Sequence, residues 1–443
     1  MDRRTGCTRR TVLASMAARA APLVASAIAA PALVGCARRG HAPLRFWAMG
    51  REGEVVGELL EGFRRAHPAI DLRIEQLPWT AAHEKLLTAF AGDATPDLAQ
   101  LGNSWVPELA ALDALQPLDH WLVTQPGLAP GDWFDGIWRT NVVDGRLLGL
   151  PWYVDTRLLF WRRDLFARAG QAAAPRSWAE WTAALDALQR SGIAHPQLLP
   201  LNEYEPLLAL ALQQDEPLLR DGGRFGHFRS AGFVRAADFF LDRYRSGHAS
   251  AVTNVQIANL WQEFGRGTFV AFISGPWSIG ELDRRIGIER RNHWSTAPLP
   301  GPNGPGASTA GGSSLVVFRR SKRQADALAV LAWLARPEVQ QRFHALTGNL
   351  PPRRSTWTLP AEAGVPLIDE PRARAFAEQL ERVKPTPAVP EWERIGQEMQ
   401  QLAQRAVHER WPGARLGAAL DARVDGFLEK RRWMLARRPA TTT

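Results

Sequence analysis

LRFWAM (44–49) has the composition of a buried strand, and the pattern that follows it decides the fold. A helical pattern, an alternating strand, a second helical pattern and a third short strand come next, at 52–66, 71–77, 81–93 and 97–102. Strands that alternate with helices in this order are typical of a parallel, doubly wound α/β sheet. A ligand of such a sheet binds beyond the C-terminal ends of its strands. In this chain those ends are 47–51, 77–79 and 102–105.

A second α/β region follows from about residue 155 to 300. Helices are predicted at 178–190, 233–247 and near 258–265, and a strand is predicted at 268–275. The segment 298–314 is rich in Gly, Pro and Ser, so we interpret it as a crossing linker. Beyond it we predict a strand at 314–320, two helices within 321–348 that divide near Pro337, and a mostly helical C-terminal third.

The segment GLPWYVDTRLLFW (149–161) places two charged residues in an apolar and aromatic strand. Successive side chains of a strand point to opposite faces, so Tyr153, Asp155 and Arg157 are expected to share one face. Two interpretations stay open from these residues alone. The pair is either an internal salt bridge at a sheet edge or part of a polar, aromatic-lined cleft wall.

The N-terminus has the features of an export signal. A basic region, an apolar stretch and small residues precede Cys36, which predicts a signal peptide over 1–35 and a linker over 36–43. Arg9-Arg10 resembles a twin-arginine signal, although Val12 stands where Phe is usual. Leu33-Val34-Gly35-Cys36 resembles a lipobox, in which the cysteine is lipidated. We therefore expect a periplasmic protein that a lipid on Cys36 anchors to a membrane.

The composition of the chain argues against several classes of protein. The two cysteines are Cys7 and Cys36, so the exported part has no disulfide. The formal net charge is +9, but the basic residues are scattered and form no stripe, which argues against nucleic-acid binding. The chain has 18 Trp and only 3 Tyr. An indole has a flat apolar face and one N–H donor, and it suits ligands that are apolar on one face and hydroxylated at the rim.

The usual catalytic motifs are absent from the sequence. His83-Glu84 and His408-Glu409 lack the second histidine of a zinc-protease helix. The phosphate-binding and dinucleotide-binding glycine patterns are missing, and we predict neither a metal nor another cofactor. A pair of carboxylates for glycoside hydrolysis stays open, with Asp155 and Glu205 as candidates.

What remains is a set of clusters that combine polar and aromatic residues. They are Asn103–Trp105, Asn202–Pro206, Gly275–Trp277, Gly311–Ser313 and Glu391–Trp392. In their order along the chain, these clusters and the segments around them resemble the family 1 extracellular solute-binding proteins of ABC sugar importers. The segments that carry the resemblance are 46–70, 79–111, 147–170, 175–181, 267–277, 308–318 and 348–355. It covers nearly the whole mature chain, and the subset that it resembles most binds maltose, trehalose and similar α-glucosides.

The resemblance implies a type II periplasmic-binding-protein fold with a ligand cleft between two lobes. The lobes would comprise 44–154 with 312–357 and 155–311 with 358–443. The expected ligand contacts are Trp47, Arg51, Trp79, Asn103, Ser104, Trp105, Tyr153, Asp155, Arg157, Asn202, Glu205, Trp277, Gly311, Gly312 and Trp392. Trp277 would stack on a pyranose ring, and the two glycines would act as pivots or close-approach positions.

The implied function is capture of a sugar by hinge closure and its delivery to an importer permease, by a monomer that is not an enzyme. Leu207 stands where maltose binders have an aromatic residue, which favours a small sugar over a long maltodextrin. Two alternatives are an exported glycoside hydrolase or lyase and a binder of a non-sugar solute.

Overall fold

The computed structural model describes residues 42–257, 259–360 and 367–437, and Pro43–Thr443 forms one compact unit. The predicted signal peptide and Cys36 lie outside the described residues. The strands are β1 (Leu44–Met49), β2 (Leu72–Leu77), β3 (Leu98–Gly102), β4 (Val142–Val143), β5 (Arg146–Leu147), β6 (Leu150–Asp155), β7 (Leu158–Arg162), β8 (Gln197–Leu198), β9 (Leu219–Arg220), β10 (Phe225–Gly226), β11 (Ala271–Ser274), β12 (Trp294–Ala297), β13 (Ser308–Thr309), β14 (Gly311–Val317) and β15 (Val383–Lys384).

The helices cover most of the remaining chain. They are α1 (Gly50–Leu59), α2 (Glu61–Ala66), α3 (Trp79–Ala91), α4 (Val106–Ala111), α5 (Asp119–Leu122), α6 (Asp135–Arg139), α7 (Arg163–Arg168), α8 (Trp178–Arg190), α9 (Glu205–Leu212), α10 (Ala231–Arg245), α11 (Leu260–Arg266), α12 (Trp277–Ile286), α13 (Gln324–Leu334), α14 (Pro337–Thr347), α15 (Arg354–Thr358), α16 (Pro371–Leu380), α17 (Trp392–His408), α18 (Gly413–Phe427) and α19 (Glu429–Ala436).

The first sheet has the strand order β2-β1-β3-β14-β6, in which β1 pairs in parallel with β2 and β3. Strand β14 runs antiparallel between β3 and β6. Strand β1 alternates between two apolar layers: Phe46 packs in the layer with α1 and α13, and Trp47 packs in the layer with α3. Helices therefore cover both faces, as the alternating pattern predicts.

The second sheet has the order β12-β7-β11-β8 and also lies between two apolar layers. Leu159 of β7 packs in the layer with α8, α9, α10, α17 and α18, whereas Phe160 packs in the layer with α16. We call the part built on the first sheet lobe one and the part built on the second sheet lobe two. The predicted residue boundaries of the two lobes stay a prediction.

One short connection joins the two large sheets directly, and a second short segment leads into the first sheet from β13, which belongs to a separate two-stranded sheet. Strand β6 ends at Asp155 and β7 begins at Leu158, and β13 leads through Ala310 into β14. Strand β13 also pairs with β15, which brings a third segment to the same place. The carboxyl ends of β1, β3 and β6 all point to this edge of the first sheet.

Two local predictions were wrong. The segment 298–314 is not a plain linker, because it contains β13 and the start of β14. The stretch 149–161 is not one continuous strand, because Thr156 and Arg157 interrupt it between the two sheets. Tyr153 and Arg157 consequently do not share one face of a single regular strand.

Candidate ligand-binding cleft

A pocket of about 190 Å³ lies where the first sheet meets lobe two. Its lining residues are Gly102, Asn103, Ser104, Asp155, Arg157, Tyr204, Glu205, Leu208, Thr309, Ala310, Gly311, Gly312, Thr386 and Trp392. Lobe one supplies the ends of β3 and β6 and the start of β14, and lobe two supplies the N-terminal ends of α9 and α17. The pocket thus occupies the position that the doubly wound pattern predicts for a ligand.

The lobe-one wall is held by side chains that bond to the sheet. Asn103 is buried, and its Oδ1 accepts a hydrogen bond of 2.8 Å from Ser314 Oγ. Ser313 Oγ, on the same strand, donates to the carbonyl oxygen of Leu101 at 2.7 Å. The amide nitrogen Nδ2 of Asn103 is buried and has no hydrogen-bond partner among the described residues. This donor is therefore available to an acceptor oxygen of a ligand.

Arg157 is the centre of the polar part of the pocket. Its guanidinium donates to Asp155 Oδ1 at 2.8 Å and to Glu205 Oε1 at 3.4 Å. The same guanidinium lies 4.7 Å from the ring centroid of Trp277, a cation–π contact. Only 13% of the Arg157 side chain is exposed. The sequence left a salt bridge and a cleft wall as alternatives, and the geometry combines both, since the ion pair lines the pocket.

Local structure explains why these groups meet. Glu205 is the first residue of α9, where the helix dipole stabilises a carboxylate, and the rest of that helix is buried. Gly275 allows the Trp277 ring to fold back on the chain, because a Cβ at Gly275 would lie 2.0 Å from an atom of the ring. Trp277 then begins α12 and stays 41% exposed.

Burial and neighbouring charges shift the pKa values of the ionisable groups around Arg157. Burial raises the pKa of Asp155 more than Arg157 lowers it, and the negative charge of Glu205 adds to the increase. Burial also raises the pKa of Glu203, against the opposing effects of Arg157 and of a hydrogen bond from Asn254. Burial acts to lower the pKa of Arg157, but its acidic neighbours outweigh that effect and raise it. Asp155 and Glu203 are therefore carboxylates whose charge the protein compensates incompletely.

The two glycines predicted as pivots lie where β14 crosses β6. Gly312 has φ of +121°, and a Cβ there would lie 2.3 Å from the carbonyl oxygen of Tyr153. A Cβ at Gly311 would lie 2.5 Å from the carbonyl oxygen of Asp155. Side chains are excluded at both positions, and the backbone itself forms this part of the pocket wall.

Trp392 and Tyr204 form the aromatic part of the lobe-two wall. Trp392 is fully buried at the start of α17, and its Nε1 has no hydrogen-bond partner in the described part of the chain. The Tyr204 ring packs against Gly396 of α17, where an added Cβ would lie 2.8 Å from an atom of the Tyr204 ring. Trp392 thus has an unpaired indole donor at the pocket wall and no exposed ring face for stacking.

Several predicted contacts lie outside this pocket. Trp47 is 3% exposed beneath α3, with Lys85 Nζ 4.6 Å from its ring centroid. Arg51 is exposed and pairs with Glu54 at 2.7 Å. Tyr153 is 8% exposed and packs against Phe343 in the lobe-one core.

The other predicted residues form two groups near the pocket. Trp79 and Trp105 are in edge contact at 5.5 Å, and Trp105 also covers Gly102, which lines the pocket. Asn202 Oδ1 accepts from the backbone nitrogen of Asn254 at 2.8 Å, which shapes the loop. Trp277 lines a second pocket of about 240 Å³, together with Glu203 and Asn254. The contact between Arg157 and Trp277 therefore lies between the two pockets.

Tyr204, Leu208, Thr309 and Thr386 line the pocket although they were not predicted as contacts. Tyr204 could have been found, because it lies inside the polar and aromatic cluster 202–206. Thr309 and Thr386 reach the pocket because β13 pairs with β15, a contact between distant segments that leaves no local pattern.

Comparison with known proteins agrees with this geometry. A family model described as bacterial extracellular solute-binding protein matches residues 50–341. The structure of the sugar-binding protein MalE from the phytopathogen Xanthomonas citri has a TM-score of 0.86 and 47% identity, and the match covers 90% of this chain and 100% of that chain.

Two more distant proteins share the architecture or part of the sequence. The GacH receptor of Streptomyces glaucescens, whose structures include a complex with acarbose, has a TM-score of 0.72 and 22% identity over 87% of this chain and 98% of that chain. The diacetylchitobiose binding protein DasA of Streptomyces coelicolor is 23% identical over 72% of this chain and 74% of its own length.

The chain belongs to the bacterial extracellular solute-binding proteins, and it has their two-lobed α/β fold. The predictions of this family, of this fold class and of a binding protein instead of an enzyme are confirmed. Within the described residues, no helix is long and apolar enough to cross a membrane. The same residues contain no group of three or more His, Cys, Asp or Glu that could hold a metal ion.

Proposed function

We propose that the protein captures a sugar between its lobes and delivers it to an ABC importer, and that the sugar is an α-glucoside disaccharide such as trehalose or maltose. The observation that carries the proposal is the pocket between the lobes, which Asp155, Arg157 and Glu205 line together with Asn103 and Ser104. The similarity to a sugar-binding MalE over 90% of the chain supports the same ligand class. The binding of acarbose by the GacH receptor also supports it.

The chemistry of the wall suits a hydroxylated ligand. Asp155 and Glu205 accept hydrogen bonds from sugar hydroxyls, and charge-assisted bonds of this kind are stronger than neutral ones. The Nδ2 of Asn103 and the Nε1 of Trp392 donate to sugar oxygens. An epimer that misplaces one hydroxyl leaves a buried partner unpaired, which makes such a site selective.

The size of the pocket favours a short sugar. About 190 Å³ is smaller than the ~300–1,000 Å³ of typical ligand sites. The second pocket of about 240 Å³ behind Trp277 provides room for a second ring. Leu207, where an aromatic residue would extend a maltodextrin platform, is fully buried in the lobe-two core.

Capture proceeds by closure of the two lobes. The connection at 155–158 joins the two large sheets beside the pocket, and the segment at 309–311 leads from β13 into the first sheet at the same place. A small backbone rotation at these two segments moves one wall relative to the other. A sugar that contacts both walls stabilises the closed state, because only that state makes both sets of contacts. Micromolar affinity corresponds to about −8 kcal/mol.

Titration of residues 37–443 tests the proposal. Trehalose, maltose, sucrose, palatinose, cellobiose and maltotriose are added separately while Trp fluorescence is followed, and each mixture is assayed for hydrolysis products. We expect saturation by an α-linked disaccharide at micromolar concentration and no product. Product formation would refute the proposal of capture without chemistry and make Asp155 and Glu205 the first residues to substitute in a search for catalysts. A response to cellobiose alone would refute the α-glucoside class.

We also propose that the mature protein is a periplasmic monomer with a lipid on Cys36. The lipobox-like Leu33-Val34-Gly35-Cys36 supports the anchor. Cell fractionation of the full chain and of a Cys36→Ala variant tests it. We expect the unchanged chain in the membrane fraction and the variant in the soluble fraction, and equal distribution of the two would contradict the anchor.

A further inference from the structure

The C-terminal helix α19 exposes apolar and basic side chains on one face. Trp433 is 57% exposed and Met434 is 47% exposed, and Lys430 and Arg437 are also exposed. The positions 430, 433, 434 and 437 have the spacing of a single helical face. We call these four residues the C-terminal ridge. None of the residues of α19 is buried, so the helix lies on the surface of lobe two.

The opposite face of α19 attaches the helix to lobe two. Arg432 donates to the carbonyl oxygen of Asp425 at 2.8 Å and to that of Arg224 at 3.1 Å. Its guanidinium also lies 4.8 Å from the ring centroid of Phe225. These contacts fix which face of α19 points outward, so the ridge has a defined orientation on lobe two.

The charge around the ridge is predominantly positive. Within residues 428–443 the chain has five basic residues, Lys430, Arg431, Arg432, Arg437 and Arg438, and one acidic residue, Glu429. Arg394 and Arg423, both exposed, flank the ring of Phe427 at 3.8 and 5.6 Å beside α19. Arg423 is compensated by Glu398 at 2.9 Å. The guanidinium of Arg437 lies 3.7 Å from the Trp433 ring.

We propose that the C-terminal ridge docks on an anionic phospholipid surface. Helices with cations beside exposed Trp and other apolar residues bind at the interface of a membrane, where the indole lies at headgroup level and the cations contact anionic headgroups. A headgroup layer requires cations beside exposed apolar side chains and no matching groove, and the ridge provides that combination.

The predicted lipid on Cys36 makes a weak docking site sufficient. Leu44 begins β1 eight positions after Cys36. An extended linker of that length spans at most about 30 Å, at ~3.3–3.6 Å per residue. The tether limits the distance between the start of β1 and the anchored cysteine, so contact of the ridge with the same bilayer is an intramolecular event with a high effective concentration.

Vesicle binding tests the proposal, with the unlipidated chain 37–443 as the protein. Co-sedimentation is measured with vesicles of phosphatidylcholine alone and of phosphatidylcholine with phosphatidylglycerol. We expect binding that requires phosphatidylglycerol and that weakens as salt rises. Lys430→Gln with Arg437→Gln should lower the partition coefficient roughly 30-fold, from about fivefold for each cation at a membrane surface. Trp433→Ala with Met434→Ala should lower it as well.

Matched controls separate the ridge from general surface properties. Arg168→Gln with Arg320→Gln removes two exposed cations elsewhere, and Val123→Ala with Val255→Ala removes two exposed apolar side chains elsewhere. Both control variants should bind vesicles like the unchanged chain, and all variants should keep the same thermal unfolding midpoint. Equal losses in the controls, or binding without phosphatidylglycerol, would overturn the proposal. Self-association or capture of a protein that depends on the ridge, without vesicle binding, would overturn it in favour of that partner.

Discussion

Arg353 and Arg157 each bind a carboxylate in a largely enclosed site, but they do so in opposite ways. Arg353 donates to Asp132 at 2.7 Å and to the carbonyl oxygens of Ala335 and Gly127 at 2.6 and 2.7 Å. Asp132 also accepts two hydrogen bonds from Ser355, at 2.8 and 2.6 Å. Burial acts to raise the pKa of Asp132, but these hydrogen bonds and Arg353 outweigh it and lower the pKa.

At Arg157 burial outweighs the stabilising contacts of the carboxylate, which is the reverse of the situation at Arg353. The guanidinium is divided between Asp155 and Glu205, and the pKa of Asp155 is raised because burial outweighs Arg157. A structural ion pair satisfies its own oxygens, as at Asp132. A binding site leaves acceptor capacity for a ligand, as at Asp155. The predictions below test this contrast.

The largest effect is expected for Arg353→Met. The substitution leaves the half-buried Asp132 without its cation and the carbonyl oxygens of Ala335 and Gly127 without their donor, which costs about 3 kcal/mol of unfolding free energy. Urea unfolding measures this loss, and sugar affinity at a temperature where the variant is folded should be unchanged. Arg320→Met is the control, because its pair with Asp93 is exposed and worth about 0–1 kcal/mol. Equal losses in the two variants would show that Arg353 is not a structural anchor.

A smaller effect, on the ligand instead of the fold, is expected for Asp155→Asn. Loss of a charged acceptor should weaken sugar binding by about 1.5–3 kcal/mol, or roughly 10- to 150-fold. Stability should change by less than about 1 kcal/mol, because the protein no longer buries an incompletely compensated charge. Calorimetric titration and urea unfolding are measured on the same samples. Asp132→Asn should instead lower stability and leave sugar affinity unchanged. If the two variants changed stability and affinity in the same way, the contrast between the two carboxylates would be contradicted.

A still smaller effect is expected at Trp277. Trp277→Ala removes a cation–π partner and a ring face, and we expect a loss of about 1 kcal/mol in sugar affinity with little loss of stability. Trp294 is the matched control, because Arg372 lies 3.7 Å from its ring centroid but the indole is 1% exposed. Trp294→Ala should cost about 3–5 kcal/mol of stability. Unchanged sugar affinity in Trp277→Ala would exclude Trp277 from the site.

The smallest effect is the pH dependence of binding. Because the pKa values of Asp155 and Glu203 are raised by burial, both groups gain a proton at a higher pH than exposed carboxyls do. Sugar affinity should therefore fall severalfold as pH falls, starting above the ordinary range of about 3.9–4.3.

The free energy of unfolding should depend on pH in the opposite direction from sugar affinity. The raised pKa values of Asp155 and Glu203 mean that the folded state holds these protons more tightly than the unfolded state does. The contribution of the two groups to stability increases as pH falls through the raised pKa. The difference in urea stability between the unchanged chain and Asp155→Asn with Glu203→Gln isolates it across that range. A difference that does not vary with pH would contradict the raised values.

The elements predicted most closely are those whose signal is local. Helix α8 has the predicted bounds, 178–190, because Ser177 caps it by accepting from the Glu180 backbone nitrogen at 3.2 Å. The first three strands differ from their predictions by at most one residue. Strand β13 was missed because its partner, β15, lies far away in the sequence and the segment is rich in Gly and Pro.

The candidate site was predicted in part, and mostly through family resemblance. Periodicity led to the strand ends, and Asn103 and Ser104 line the pocket there. Glu205 and Trp392 lie in two of the polar and aromatic clusters, but the helix packing in lobe two that brings these clusters to the pocket has no local signal. Trp47 satisfied the same positional argument as Asn103, but its side chain points into the layer beneath α3. Position on a strand does not show which face a residue occupies when both faces are covered.

The strand order of the first sheet also has a consequence for synthesis of the chain. Strand β14, from residues 311–317, inserts between β3 and β6, which are made much earlier. A ribosome therefore releases β3 and β6 with unpaired edges, and these edges stay open until the middle of the sheet arrives. Synthesis of lobe one begins first, but the sheet of lobe one cannot be completed until lobe two is largely translated. The nascent chain therefore has to be shielded from edge-to-edge aggregation during that interval.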